Sequence, residues 1–127
     1  MDKKELAAFM KDFYDAWTKR DDEKIASFYH PELKAYSDFS EISMEDILNR
    51  LEFSKEKFEK VNYIMEDQFI DEEQGKIACR MKQRHILKTG DLVKWEAIML
   101  YKIQDRKIKE LWMSFYPNAD YLNNDQF

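Results

Sequence analysis

The fold is decided by residues 75–104, which read GKIACRMKQRHILKTGDLVKWEAIMLYKIQ. Apolar and polar side chains alternate along this stretch, and β-branched and aromatic residues are frequent, so its period of two predicts β-strands. The stretches 61–70 (VNYIMEDQFI) and 107–116 (KIKELWMSFY) have the same character. Gly75 and Gly90 stand where turns are needed. The second half of the chain therefore predicts a meander of four antiparallel strands.

The first half of the chain has the helical period of 3.6 instead. Residues 2–19 predict an amphipathic helix, and Asp21 or Asp22 can cap a second, shorter helix that Pro31 ends. Ser43 predicts the start of a third helix, whose buried stripe contains Met44, Ile47, Leu48, Leu51 and Phe58. The mixed Glu and Lys residues on the other side of this third helix are typical of a solvated face.

These elements, with a short strand at 33–38, predict an α+β fold in which N-terminal helices pack on a curved, mainly antiparallel sheet. The chain has 127 residues, 44% of them hydrophobic and 15% aromatic, which suits one domain with a real core. We therefore expect a single domain over residues 1–127, with its core at about 5–117 and a tail at 118–127.

Charge and composition exclude several classes of function. The net charge of −5 makes nucleic acid an unexpected partner, since phosphate binding needs a positive surface. No apolar run approaches the roughly 20 residues that span a bilayer, and the first residues lack the apolar region of a signal peptide. We therefore expect a cytoplasmic protein that does not bind membranes. One cysteine, Cys79, and two histidines, His30 and His85, provide no metal-ligand spacing, so neither a metal nor another cofactor is expected.

Strand register predicts which side chains face inward, because cross-strand partners share a face of the sheet. We pair Lys88 with Leu92 across one turn and Ile103 with Ile108 across the next, and the two registers agree on one inner face. This face is too polar for a plain core and too apolar for solvent, so it predicts a pocket for a small apolar molecule. The predicted pocket residues are Trp17, Tyr36, Asp67, Met81, Gln83, Trp95, Met99, Tyr101, Glu110, Trp112 and Tyr116.

The same registers leave an apolar patch on the outer face of the last two strands. Its members are Ile98, Leu100, Leu111, Met113 and Phe115. A patch of this kind usually marks an interface, and a symmetric homodimer is the commonest way to cover one. A covering segment of the same chain is the alternative.

Proton chemistry on a bound molecule would need a titratable group in the pocket. His85 is the first candidate, because an imidazole titrates near neutral pH, and the alternative is a histidine at the pocket mouth without a catalytic role. The other candidates are carboxylates and tyrosine donors: Asp38, Asp67 and Glu110, with Tyr14, Tyr36, Tyr101 and Tyr116. Glu110 could equally form a structural hydrogen bond, and Tyr14 could be a core residue.

Two stretches resemble the SnoaL-like branch of the nuclear transport factor 2-like superfamily. FYDAWTKRDDEKIASFYHPEL (13–33) is similar to the family's opening helix, acidic turn and second helix. AIMLYKIQDRKIKELWMSFY (97–116) is similar to its final hairpin. The resemblance covers about residues 5–117 and implies a curved sheet wrapped as a cone around a pocket.

The resemblance also implies three possible functions. Members include polyketide cyclases, ketosteroid isomerases and dehydratases, and also proteins that only bind ligands or assemble. Aligned with ketosteroid isomerase, Tyr14 matches a tyrosine that binds the oxyanion, the base falls at Ser37 or Asp38, and a protonated aspartate is replaced by Met99. The acid of the cyclases is replaced by Tyr116. The family thus implies acid-base catalysis, a ligand-binding protein without activity, or a dimeric assembly module. For catalysis we expect His85, chosen from the residues themselves, to act with Asp38 and Tyr14, which the alignment indicates.

Overall fold

The structure, a computed structural model, describes residues 1–117. This part contains three helices and seven strands, with two helices before the first strand and the third helix between the second and third strands. The helices are α1 (Lys3–Lys19), α2 (Asp22–Ser27) and α3 (Met44–Lys57). The strands are β1 (Tyr29–Ser37), β2 (Ser40–Ile42), β3 (Phe58–Lys60), β4 (Tyr63–Asp71), β5 (Lys76–Leu87), β6 (Leu92–Gln104) and β7 (Lys107–Tyr116). The predicted tail at 118–127 lies outside the described residues.

The helix starts follow from capping side chains in the sequence. Ser43 caps α3 as predicted, in a reciprocal pair with Asp46, and Asp2 caps α1 in the same way. The expectation that Pro31 ends α2 is wrong, because the helix stops at Ser27 and the chain then joins the sheet. The carbonyl of Phe28 already accepts a hydrogen bond from Ile108 N–H at 2.8 Å, which draws this segment into strand pairing.

The strands form one curved, mainly antiparallel sheet in the order β2-β1-β7-β6-β5-β3, with β4 also paired to β5. The predicted α+β architecture is confirmed. The sheet contains one parallel pair, β1 with β7, which the meander alone did not indicate. Asp105 and Arg106 connect β6 to β7 with φ angles of 55° and 59°, the positive values that a two-residue hairpin turn requires.

The register between β5 and β6 differs from the prediction by two residues. Ile86, not Lys88, is opposite Leu92, and the same register places Gln83 opposite Trp95 and Cys79 opposite Met99. Because side chains alternate with a period of two, a shift of two residues keeps every side chain on its predicted face. The inner face of these two strands is therefore as expected.

The register between β6 and β7 changes partway along the pair. Ile103 is opposite Ile108 as predicted, but Lys102 is opposite Glu110, so Lys109 is an extra residue that forms a β-bulge. One extra residue reverses the faces of the rest of β7. The predicted inward orientation of Glu110, Trp112 and Tyr116 is therefore wrong. Leu111, Met113 and Phe115, expected on the outer patch, lie on the inner side instead.

Two further pocket predictions fail for related reasons. The prediction for Asp67 assumed that Phe69 is opposite Ile77, but in β4 Ile70 is opposite Ile77, and a further bulge follows Met65. Asp67 consequently lies outside, where its carboxylate forms an ion pair with Arg80 at 2.8 Å. Tyr36 stacks on Trp112 with ring centroids 4.0 Å apart, on the same outer face.

The main core lies between α1 and the inner face of the sheet. The buried side of α1 presents Leu6, Met10, Phe13 and Ala16. Phe13 forms edge-to-face contacts with five other rings, those of Tyr14, Trp17, Phe28, Tyr29 and Tyr101.

In residues 1–117, no helix is long and apolar enough to cross a membrane.

Candidate functional site

A cavity of about 90 Å³ lies between α1, α3 and the inner face of the sheet. Its wall is mostly aromatic side chains and methionines. Six predicted pocket or catalytic residues line it: Tyr14, Trp17, Gln83, His85, Met99 and Tyr101. An engineered cavity of about 150 Å³ holds benzene, so this cavity, as it stands, fits a molecule of only a few heavy atoms.

The hydroxyl groups of Tyr14 and Tyr101 meet inside the cavity. They hydrogen-bond to each other, and both lie close to Met99 Sδ, at 3.0 Å from Tyr14 and 2.9 Å from Tyr101. Burial raises the pKa of both tyrosines well above the ordinary value. Both phenols therefore stay protonated at neutral pH and can donate hydrogen bonds to a ligand oxygen.

His85 is held as a neutral imidazole by groups of the protein itself. Nδ1 accepts the backbone N–H of Asn62 at 3.1 Å, so the proton must be on Nε2, which donates to Gln83 Oε1 at 3.2 Å. Burial, with a smaller contribution from the positive charge of Arg20, lowers the pKa of His85 to about 4. Both ring nitrogens thus have structural partners, and the arrangement turns the Gln83 NH2 group away from the imidazole.

Helix α3 contributes two polar residues to the cavity wall that the sequence analysis did not single out. Arg50 donates to Ser37 Oγ at 2.9 Å, and its guanidinium lies 5.8 Å from the centre of the Phe115 ring. Ser54 is buried, and within residues 1–117 its Oγ has no hydrogen-bond partner. An unsatisfied buried hydroxyl costs about 1–3 kcal/mol, so such a group requires an explanation.

The spacing of Arg50 and Ser54 along the helix indicates that both side chains lie on its buried side. Arg50 and Ser54 follow Ile47 by three and seven positions, which places them on the same side of α3 as the buried Ile47 and Leu51. The many Glu and Lys residues of α3 are typical of a solvated face, and they obscure the two polar residues that lie on its buried side.

The other predicted site residues lie elsewhere. Met81 and Trp95 are buried as expected, but Trp95 belongs to a smaller cluster with Phe58 and Val61, and neither residue lines the cavity. Asp38 lies in the turn between β1 and β2, where its carboxylate accepts the N–H of Phe115 at 2.9 Å. Asp38 therefore ties the turn to β7 and does not line the cavity wall.

A family model for the SnoaL-like domain matches residues 10–111. The chain belongs to the SnoaL-like family. The resemblance noted in the sequence is thereby confirmed, and the match runs from within α1 to within β7. A search of the curated proteins finds no match.

Solved structures show how widely this SnoaL-like fold is shared. AclR from Streptomyces galilaeus has a TM-score of 0.79 at 21% identity, covering 87% of this chain and 78% of its own. PrhC from Penicillium brasilianum has a TM-score of 0.81 at 16% identity, covering 94% and 86%. BvnE pinacolase from Penicillium brevicompactum has a TM-score of 0.77 at 9% identity, covering 89% and 84%. At these identities the similarity establishes the fold alone.

The charged side chain that lines the cavity of this SnoaL-like domain is basic. Among the described residues, its wall contains Arg50 but no aspartate or glutamate. In the same part of the chain, no three His, Cys, Asp or Glu side chains converge to hold a metal ion. The wall thus offers hydrogen-bond donors, apolar surface and the neutral imidazole of His85.

Proposed function

We propose that this protein binds a small, mostly apolar molecule in the cavity between its helices and its sheet. The observation that carries the proposal is the pair of tyrosine hydroxyls inside an otherwise aromatic and methionine-rich wall. Binding sites for small molecules typically combine apolar walls with a few convergent polar groups that orient the ligand. A carbonyl oxygen of the ligand would accept from Tyr14 or Tyr101.

Acid-base catalysis, as in an isomerase, cyclase or dehydratase, is the second candidate. The tyrosine pair favours it, since two protonated phenols can stabilise negative charge that develops on a carbonyl oxygen. The base would have to be His85, and its Nδ1 would first have to release the N–H of Asn62. A histidine whose pKa is lowered to about 4 is also a weak base. These two features place ligand binding ahead of catalysis.

The binding proposal predicts a specific effect of the tyrosine hydroxyls. We expect 2-butanone to bind wild-type protein and to shift the NMR signals of cavity residues. Tyr101→Phe should weaken its binding by about three- to tenfold, the contribution of one hydrogen bond. Tyr116→Phe is the matched control and should have no effect, because Tyr116 is 80% exposed on the outer face. The proposal fails if 2-butanone does not bind or shifts only outer-face signals.

We also propose that two copies associate through the outer face of the sheet. Three members of the predicted outer patch, Leu111, Met113 and Phe115, face inward. The bulge in β7 brings Trp112 to the outer face in their place. Phe69, Ala78, Leu100, Trp112 and Tyr36 then form a continuous cross-strand row. Ile98, which is 63% exposed, lies beside this row. Contiguous apolar surface of this kind favours an interface between copies of the chain.

The dimer proposal predicts that a charge at Ile98 prevents association. We expect sedimentation to show dimers of wild-type protein, and Ile98→Glu should weaken the dimer about tenfold or more by placing a charge from each copy in an apolar interface. Leu92→Glu is the control, since Leu92 is half-exposed on the same strand but far from the row. A monomeric wild-type protein, or equal effects of the two variants, would contradict this proposal.

We propose a cytoplasmic location for the protein. Cys79 is a buried free thiol, and burial raises its pKa to about 12. A single unpaired thiol suits the reducing environment of the cytosol.

A further inference from the structure

We propose that the ligand of this cavity carries a second oxygen, apart from the one held by the tyrosine pair, and that the hydroxyl of Ser54 on α3 binds it. The inference rests on the proposed binding function and narrows the ligand to a carbonyl compound with a further hydroxyl or carbonyl group. It depends on the unsatisfied hydroxyl of Ser54 and on where α3 places this residue relative to the tyrosines.

The hydroxyl of Ser54 lacks the partner that a hydroxyl in a helix usually finds. Such a group can donate to the carbonyl oxygen four residues earlier, as Thr18 Oγ1 in α1 does to Tyr14 O at 2.8 Å. Ser54 is 5% exposed, and within residues 1–117 its Oγ has no hydrogen-bond partner. Because Ser54 lines the cavity, a molecule bound there can supply the missing partner.

The backbone around Ser54 is held in place by other contacts. Its carbonyl oxygen accepts the backbone N–H of Phe58 at the end of α3 and also a guanidinium N–H of Arg20 at 3.0 Å. The same guanidinium nitrogen of Arg20 donates to Phe58 O at 2.7 Å. These bonds fix the last turn of α3 without using the Ser54 hydroxyl. The hydroxyl is therefore positioned before a ligand arrives, which lowers the entropic cost of binding.

Ser54 and the tyrosine pair lie toward opposite ends of β5. Phe58, four residues after Ser54, is opposite the last residue of β5, and its ring centre is 5.0 Å from that of His85. Tyr101 is opposite Ile77, close to the first residue of β5. A ligand that contacts both groups must therefore carry two polar atoms with an apolar segment between them. The aromatic and methionine side chains of the wall suit that segment.

The unsatisfied hydroxyl makes Ser54 a residue that determines ligand specificity. A serine hydroxyl both donates and accepts, so it can bind either a hydroxyl or a carbonyl oxygen of a ligand. A ligand with a methyl group at the same place leaves the hydroxyl unsatisfied and gains no hydrogen bond. Sites built around a buried polar group discriminate against such analogues.

The test compares two probes of equal size, 4-hydroxy-2-butanone and 2-pentanone, in which a hydroxyl replaces the terminal methyl group. Their dissociation constants are measured by NMR titration of wild-type protein and Ser54→Ala. We expect the wild type to bind the hydroxyketone about threefold tighter than 2-pentanone. Ser54→Ala should reverse this order, because the ligand hydroxyl then has no partner, and should bind 2-pentanone at least as well as wild type does. Alanine removes only the hydroxyl at a buried helical position, so this variant should fold.

Ser114→Ala is the matched control, because Ser114 is exposed on β7 and loses the same hydroxyl far from the cavity. Both of its dissociation constants should equal those of wild type. If the ratio of the two constants is the same in wild type and Ser54→Ala, the role of Ser54 is overturned and the binding proposal stands. If neither probe binds the wild-type protein, both proposals are overturned.

Discussion

Replacing Phe13 with alanine is expected to lower the free energy of unfolding by about 3–5 kcal/mol. Phe13 is 2% exposed and stands at the centre of the aromatic cluster, in edge-to-face contact with five rings. Its removal loses both the transfer free energy of the ring and the contacts of its neighbours, and it enlarges the cavity next to it. Urea unfolding followed by circular dichroism measures the effect.

The matched control for this change is Phe69→Ala. Phe69 is 70% exposed on the outer face, so the same truncation should cost less than about 1 kcal/mol there. Both variants are compared at low protein concentration, where association through the outer face contributes little. If Phe13→Ala costs no more than Phe69→Ala, the cluster does not hold α1 against the sheet in the way described.

Acidification is expected to destabilise the protein between pH about 6.5 and about 4, because His85 resists protonation in the folded state. Burial, with a contribution from Arg20, lowers its pKa to about 4, whereas an unfolded histidine titrates near 6.5. In this interval the unfolded chain binds a proton at His85 that the folded protein does not bind. The contribution of His85 to the free energy of unfolding is therefore complete above pH 6.5 and decreases as the pH falls. The loss attributable to His85 is about 3 kcal/mol when pH 4 is reached.

The measurement is the free energy of unfolding at a series of pH values for wild type and two variants. His85→Gln should be less stable than wild type at pH 7 but should lose much less on acidification through this interval. His30→Gln removes the other histidine and should keep the wild-type dependence, since His85 is unchanged. A wild-type slope that persists in His85→Gln would show that other groups cause it.

Much of the candidate site could be predicted from the sequence. The alternation in β5 and β6 placed Gln83, His85, Met99 and Tyr101 on the inner face, because an error of two residues in register leaves the faces unchanged. The partnership of Tyr14 with Tyr101 could not be predicted, since it joins a helix to a strand 87 positions away. Whether Arg50 and Ser54 line the cavity also depends on how α3 is rotated against the sheet.

The sequence alone is enough to predict the three helices, the strand-rich second half, the α+β architecture and the family. The orientation of β7 depends instead on how this strand pairs in the folded protein. Its residues 111–116, LWMSFY, are apolar or small on both sides, so no polar alternation selects one face. The extra Lys109 of the bulge and the pairing with β1 decide it instead, and they turn Leu111 and Met113 toward the cavity. A single inserted residue outweighs the local pattern because it reverses every side chain that follows.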